Sequence, residues 1–129
     1  DYQQCMVIKK LTELQGIKTT IIICPTLRET SGLAMSSRNM RLTEESQKQA
    51  LKIYETLSYL KNNSKPGNLT ALKQTAIDNL TNAGFKVDYI EIADAGNLDI
   101  INHWDGNSKL VAVAAAFLGE VRLIDNMLL

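Results

Sequence analysis

Apolar residues recur along this chain with two different periods, and the change of period divides it. Val7, Ile8, Leu11 and Leu14 fall at helical spacing. Gly16 suits the left-handed residue just past a last helical turn. Thr19-Thr-Ile-Ile-Ile-Cys24 is β-branched and apolar without alternation, which predicts a strand covered on both faces, as in a parallel sheet. A stretch of small, hydroxylated and basic residues follows, from Pro25 to Asn39. Thr43 is then a helix N-cap, with Glu44 and Glu45 in the first turn, where the helix dipole favours acids. Ala50, Ile53, Tyr54, Leu57 and Leu60 mark one face of that helix. Asn62-Asn-Ser-Lys-Pro-Gly67 breaks the pattern as a loop. Leu69, Leu72, Ala76, Leu80 and Ala83 form a second helical stripe, ended by Gly84. Beyond it, residues 85–92, 109–118 and 121–124 read as strands. Asp105-Gly106 turns between the first two, and Gly119-Glu120 makes a tight turn between the last two.

A helix followed by a buried strand is half of a βαβ unit. Residues 1–41 therefore predict the tail of a doubly wound α/β nucleotide-binding domain: helix, strand and phosphate-type loop. In such a domain ligands sit beyond the carboxyl ends of the strands, where residues 25–39 fall. Two helices and then strands with short connections predict residues 42–129 as a small α+β domain. It would hold two helices and a three-stranded, mostly antiparallel sheet. The boundary between Met40 and Leu42 puts a hinge beside the loop. Asp1-Tyr-Gln-Gln4 opens a helix with no approach chain, so the sequence reads as the later part of something longer. The strand at Ile21, Ile22 and Ile23 would then lack its neighbours and be free to pair with another copy.

Composition narrows the function. The chain has 129 residues, 45% hydrophobic and 22% charged, with zero formal net charge. That is a globular composition without the basic footprint that nucleic acid or anionic membranes select. No apolar run approaches the ~20 residues needed to span a bilayer, and no signal-peptide pattern appears. Cys5 and Cys24 lie in a helix and a strand pattern without metal-ligand spacing, which predicts two reduced thiols in a cytoplasmic protein. The glycosylation patterns at Asn62, Asn68 and Asn79 are then chance. His103 stands in a polar connection beside Trp104, with no cysteine or acid pair at ligand spacing, and reads as a surface or turn residue; no metal site is predicted.

Candidate chemistry concentrates in residues 25–39. Ser36 and Ser37 offer hydroxyl and backbone N–H groups, Gly32 permits a bend or a close approach, and Arg28 and Arg38 carry permanent charge. These are the parts of a polyphosphate site; they also fit a solvated loop whose serines cap the next helix. Asp1 and Gln4 read as N-cap and N3 of a capping box, which alone explains both residue types. The functional alternative is that this helix end faces a ligand.

Pro25-Thr-Leu-Arg28, followed by Ser31-Gly-Leu-Ala-Met-Ser-Ser-Arg-Asn39, closely resembles the pantoate–β-alanine ligase (pantothenate synthetase) family. Asp1-x-x-Gln4 resembles the end of that family's Gly-x-Lys-Asp-x-x-Gln stretch. Asp88-Tyr-Ile-Glu91 and Arg122-Leu-Ile-Asp-Asn126 look like its landmarks in the small domain, so the resemblance runs the whole chain. It implies an ATP-dependent ligase that joins pantoate to β-alanine through a pantoyl adenylate, releasing AMP and pyrophosphate. Magnesium would be held mainly through the ATP phosphates. Carried over residue by residue, Asp1 contacts the nucleotide, Gln4 hydrogen-bonds pantoate, and the main chain of Leu27 lies against the adenine. Met35, Ser36, Ser37 and Arg38 form the phosphate stretch, with the two serines on phosphate oxygens and Arg38 neutralising charge as pyrophosphate leaves. The resemblance further implies small-molecule partners only, a homodimer of the full-length enzyme through its larger domain, and a lid role for the small domain. The family's histidine motif and the lysine before Asp1 are not in this chain, so the chain alone is expected to be inactive. Another adenylate-forming ligase, or a non-catalytic interaction module derived from one, remains open at this point.

Overall fold

The computed structural model describes residues 1–129. Helix α1 (Tyr2–Leu14) opens with the Asp1 carboxylate accepting the Gln4 N–H at 3.2 Å, and Gly16 beyond its end has φ +64°. The cap and the left-handed stop are those the sequence predicts. The apolar stripe is present too, but Val7, Ile8, Leu11 and Leu14 are all exposed, and no residue of α1 is buried.

The strand expected over residues 19–24 does not form. The segment belongs to neither sheet. β-branched residues favour extended backbone, but a strand exists only where a neighbour completes its hydrogen bonds. The parallel α/β pattern expected of residues 1–41 is accordingly absent, and both sheets of the chain are antiparallel.

Residues 42–129 fold closer to expectation. Helix α2 (Glu44–Asn63) begins at Thr43, whose hydroxyl accepts the Ser46 N–H at 3.2 Å. Strand β1 (Gly67–Asn68) and helix α3 (Thr70–Asn82) follow, then β2 (Lys86–Asp94), β3 (His103–Trp104), β4 (Leu110–Leu118) and β5 (Val121–Leu128). The short pair β1 and β3 is an addition to the expected elements; it draws Gly67 out of the expected loop and sets Gly67 and Asn68 against Trp104 and His103. The main sheet has the order β2-β4-β5. Gly119, at φ +59°, is the first residue of the two-residue turn between Leu118 and Val121, a position that favours glycine. β5 runs on to Leu128, past the expected end at Ile124.

One face of this sheet carries Ile90, Ile92, Ala112, Ala114, Ala116 and Leu123, and the stripes of α2 and α3 close over it. Leu57, Leu60 and Leu80 are fully buried there, each contributing roughly 1.5–3 kcal/mol of transfer free energy. The alanines of β4 let α2 approach closely. A bulge in β2 places Val87 opposite Ala116 but Tyr89 opposite Ala115, leaving Asp88 as the extra residue. Tyr89 and Glu91 are thereby brought onto the second face with Val113, which stays partly open. No helix is long and apolar enough to cross a membrane.

Candidate functional site

Residues 25–39 fold as a small hairpin followed by a tight turn. Met35 N–H donates to the Leu27 carbonyl at 3.0 Å, Glu29 N–H to Leu33 at 2.8 Å, and Gly32 N–H back to Glu29 at 2.9 Å. A bridge between Arg28 and Ala34 closes the neck. Gly32 sits at φ +99°, a conformation that side chains other than glycine's rarely tolerate. The chain then enters a 3₁₀ turn, Ser37–Arg41. Ser36 caps it by accepting the Arg38 N–H at 3.2 Å, and Asn39 donates its side-chain amide to Ala34 at 3.0 Å. One reading of the serines, as caps, is thus realised for Ser36, on a 3₁₀ turn rather than on α2.

The hairpin does not stand free. Arg28, one of two cations expected to face an anion, instead grips Asp125 of β5 with two hydrogen bonds, 2.7 and 3.0 Å long. Its guanidinium also lies 4.9 Å from the ring centroid of Tyr54 on α2. Arg28 is therefore committed to holding the loop.

Between the hairpin, the start of α1 and the open face of the sheet lies a cleft of about 600 Å³, within the range of small-molecule sites. Asp1, Met35, Ser36 and Arg38 all line it, together with Tyr2, Tyr54, Tyr89, Glu91, Arg122 and Asn126. Four of the residues singled out from the sequence, Asp1, Met35, Ser36 and Arg38, thus converge from distant segments. Ser37, Leu27 and Gln4 lie outside its wall. Ser37 is exposed at the start of the 3₁₀ turn, Leu27 presents a side chain that is 71% exposed, and Gln4 is exposed on α1 beside Gln3, which does reach the cleft.

Charge in the cleft is uneven. Arg122 donates to Asp88 through Nε and Nη2 at 3.0 and 2.7 Å, spanning the central strand β4. That hydrogen bond holds the Arg122 pKa above its ordinary value. Arg38 is the other arginine on the cleft wall, and it has no carboxylate partner. Tyr2 donates its hydroxyl to the Ala95 carbonyl at 2.8 Å, and burial, helped by Asp94 and Cys5, raises its pKa. No three His, Cys, Asp or Glu side chains stand together as metal ligands. Cys5 and Cys24 are free thiols. Such a cleft can hold an anionic ligand by one free guanidinium and fixed backbone, with aromatic walls beside it.

The aromatic part of the wall was not anticipated from the sequence. Tyr54 falls on a helical stripe that reads as core, and Tyr89 reaches the cleft only because of the bulge. Asp88-Tyr-Ile-Glu91 and Arg122-Leu-Ile-Asp-Asn126 were the available signals, and the fold sets these two stretches across one sheet face.

The sequence profile of the family described as Pantoate-beta-alanine ligase matches residues 1–128. Among curated relatives, a pantothenate synthetase of Shewanella woodyi is 40% identical, over 98% of this chain and 45% of its own length. One of Thermotoga neapolitana is 38% identical, over 100% of this chain and 46% of its own length. A crystal structure of pantothenate synthetase from Thermus thermophilus superposes with a TM-score of 0.84 at 29% identity, covering 98% of this chain and 46% of that one. The chain thus spans about half the length of the relatives it matches.

Proposed function

The chain belongs to the pantoate–β-alanine ligase family, and on that premise we propose that it supplies the nucleotide loop and lid of an enzyme that makes pantothenate from pantoate, β-alanine and ATP. The carboxylate of pantoate attacks the α-phosphate of ATP, pyrophosphate departs, and the β-alanine amine displaces AMP from the acyl adenylate. Atoms balance with no redox partner. The observation that carries this reading is the free guanidinium of Arg38 on the cleft wall beside Ser36 and Met35, with the neighbouring Arg28 and Arg122 both paired to carboxylates.

Alignment of two reactants and neutralisation of phosphate charge supply most of what this chemistry needs. Ser36 and Ser37 hold phosphate oxygens, Arg38 takes up the charge that grows on leaving pyrophosphate, and Asp1 meets the nucleotide from the start of α1. The Leu27 main chain flanks the adenine, and Gln4 holds pantoate. Like Ser37, both lie outside the present cleft wall, so the roles of all three require the ligand to extend beyond it. Magnesium would be held mainly through the ATP phosphates. Residues 1–41 act as the end of the nucleotide-binding domain and residues 42–129 as the lid. The full-length enzyme is a homodimer working on small molecules in the cytoplasm.

The test is product analysis on the full-length protein with magnesium, ATP, pantoate and β-alanine. AMP that forms only when both acids are present supports the assignment. A folded protein that makes no AMP from this pair refutes it.

A further inference from the structure

Asp125 occupies a slot that strand alternation assigns to the core. Val121, Leu123 and Asp125 share one face of β5, opposite Leu118, Ala116 and Ala114 of β4. The Asp125 side chain is only 5% exposed. A carboxylate there persists only if a cation and enough donors meet it. Arg28 answers that requirement from 97 residues away in sequence. Its Nη1 donates to Oδ2 at 2.7 Å and its Nη2 to Oδ1 at 3.0 Å. Further N–H groups reach the carbonyls of Gly32 and Asn126, each at 3.0 Å. With Tyr54 beneath it, one planar side chain ties its own hairpin to β5 and to α2. The same fork is geometrically specific in a way that an ammonium cannot reproduce.

We propose that Arg28 is a positioning residue: through Asp125 and Tyr54 it sets where Ser36 and Arg38 stand in the cleft. The inference rests on the ligase reading above for what Arg38 does. The linkage between them has little slack. Arg28 sits at the neck of the hairpin opposite Ala34, the Met35 N–H is bonded to Leu27, and Asn39 ties the following turn back to Ala34. A shift of the neck therefore carries the Ser36 cap and the Arg38 side chain with it. Misplacement of a reacting group by about 1 Å can cost on the order of 10²-fold in rate.

The experiment is a mutant cycle in the full-length protein. Arg28→Lys and Asp125→Asn are each made alone and in an Arg38→Ala background, and kcat and the KM for ATP are measured below each variant's melting temperature. The expected result is a fall in kcat on the order of 10²-fold for either single variant, larger than any change in KM, that vanishes once Arg38 is already gone. Residues acting through one group are non-additive in this way. Wild-type kcat in both singles, or a loss that simply multiplies with that of Arg38→Ala, makes the clasp structural only and overturns the proposal. If Asp125→Asn does not fold, Tyr54→Leu, which keeps the ion pair, goes through the same cycle with the same criterion. Absence of AMP from the wild-type protein would defeat the ligase reading itself, an outcome distinct from active wild type with indifferent variants.

Discussion

Gly32 rests against the ring of Tyr54 so closely that a β-carbon at position 32 would meet Cδ1 at 2.6 Å. The residue also holds φ +99°. Two separate penalties therefore attend any side chain there, backbone strain and overpacking. Together they predict that Gly32→Ala lowers stability by about 2–4 kcal/mol, read by thermal or denaturant unfolding. In a Tyr54→Ala background the steric part disappears and only the strain of about 1–3 kcal/mol should remain. An equal cost in both backgrounds would mean that the ring contact is irrelevant.

Arg38 is exposed, lacks a carboxylate partner and lines the cleft. Its loss should therefore cost little stability but much chemistry. Arg38→Ala in the full-length enzyme is expected to lower turnover by at least ~10²-fold, the scale of losing one preorganised donor, with an unchanged melting temperature. Arg38→Lys should recover only part of the loss, because an ammonium keeps the charge and not the fork. Near-normal turnover of Arg38→Ala removes this residue from the mechanism.

What the sequence revealed follows from how local each signal is. Thr43 as a cap, the stripes of α2 and α3, and the Gly119 turn are decided within a few residues, and the fold agrees with each. The Ile21 to Ile23 strand failed because strand formation depends on a neighbour, which no pattern inside the segment specifies. The expected strand over residues 121–124 stops at two polar residues, Asp125 and Asn126, whereas β5 runs through both. In the fold Asp125 continues the inward row and is paid for by Arg28. A contact spanning 97 residues leaves no periodic trace; the legible hint was a carboxylate standing in register with Val121 and Leu123. The loop residues of the site were legible as chemistry, while the tyrosines opposite depend on a bulge and a crossing of elements.

Lys73 sits on the buried stripe of α3 and donates to Glu91 Oε2 and Asn102 Oδ1, both at 2.7 Å. Its side chain is 11% exposed, against 34% for Glu91. The two halves of the pair are therefore not equivalent. Lys73→Met leaves a carboxylate that water can reach, costing about 1–2 kcal/mol. Glu91→Gln leaves an ammonium with little access to water, costing about 3 kcal/mol or more. Denaturant unfolding should rank the variants in that order, and the reverse order would contradict the burial argument.

Tyr2 gives the start of α1 a hydrogen-bonded hold on the sheet domain, and its phenol titrates above the ordinary value near 10 because burial disfavours the phenolate. As pH rises, the unfolded chain loses this proton first, so the folded state binds more protons between the two values and stability falls. The contribution is fully present below pH ~10 and is lost as pH climbs through the folded value. A phenolate also cannot donate to the Ala95 carbonyl, so the hold on α1 fails in the same range. Tyr2→Phe should remove this alkaline component. At neutral pH it should cost about 0.5–1.5 kcal/mol for the lost hydrogen bond. Protease protection of residues 2–14 measured across pH checks it directly: the wild type should lose protection above pH ~10, while Tyr2→Phe should show lower protection throughout without that step. An alkaline step of the same size in both proteins would assign the titration to another group.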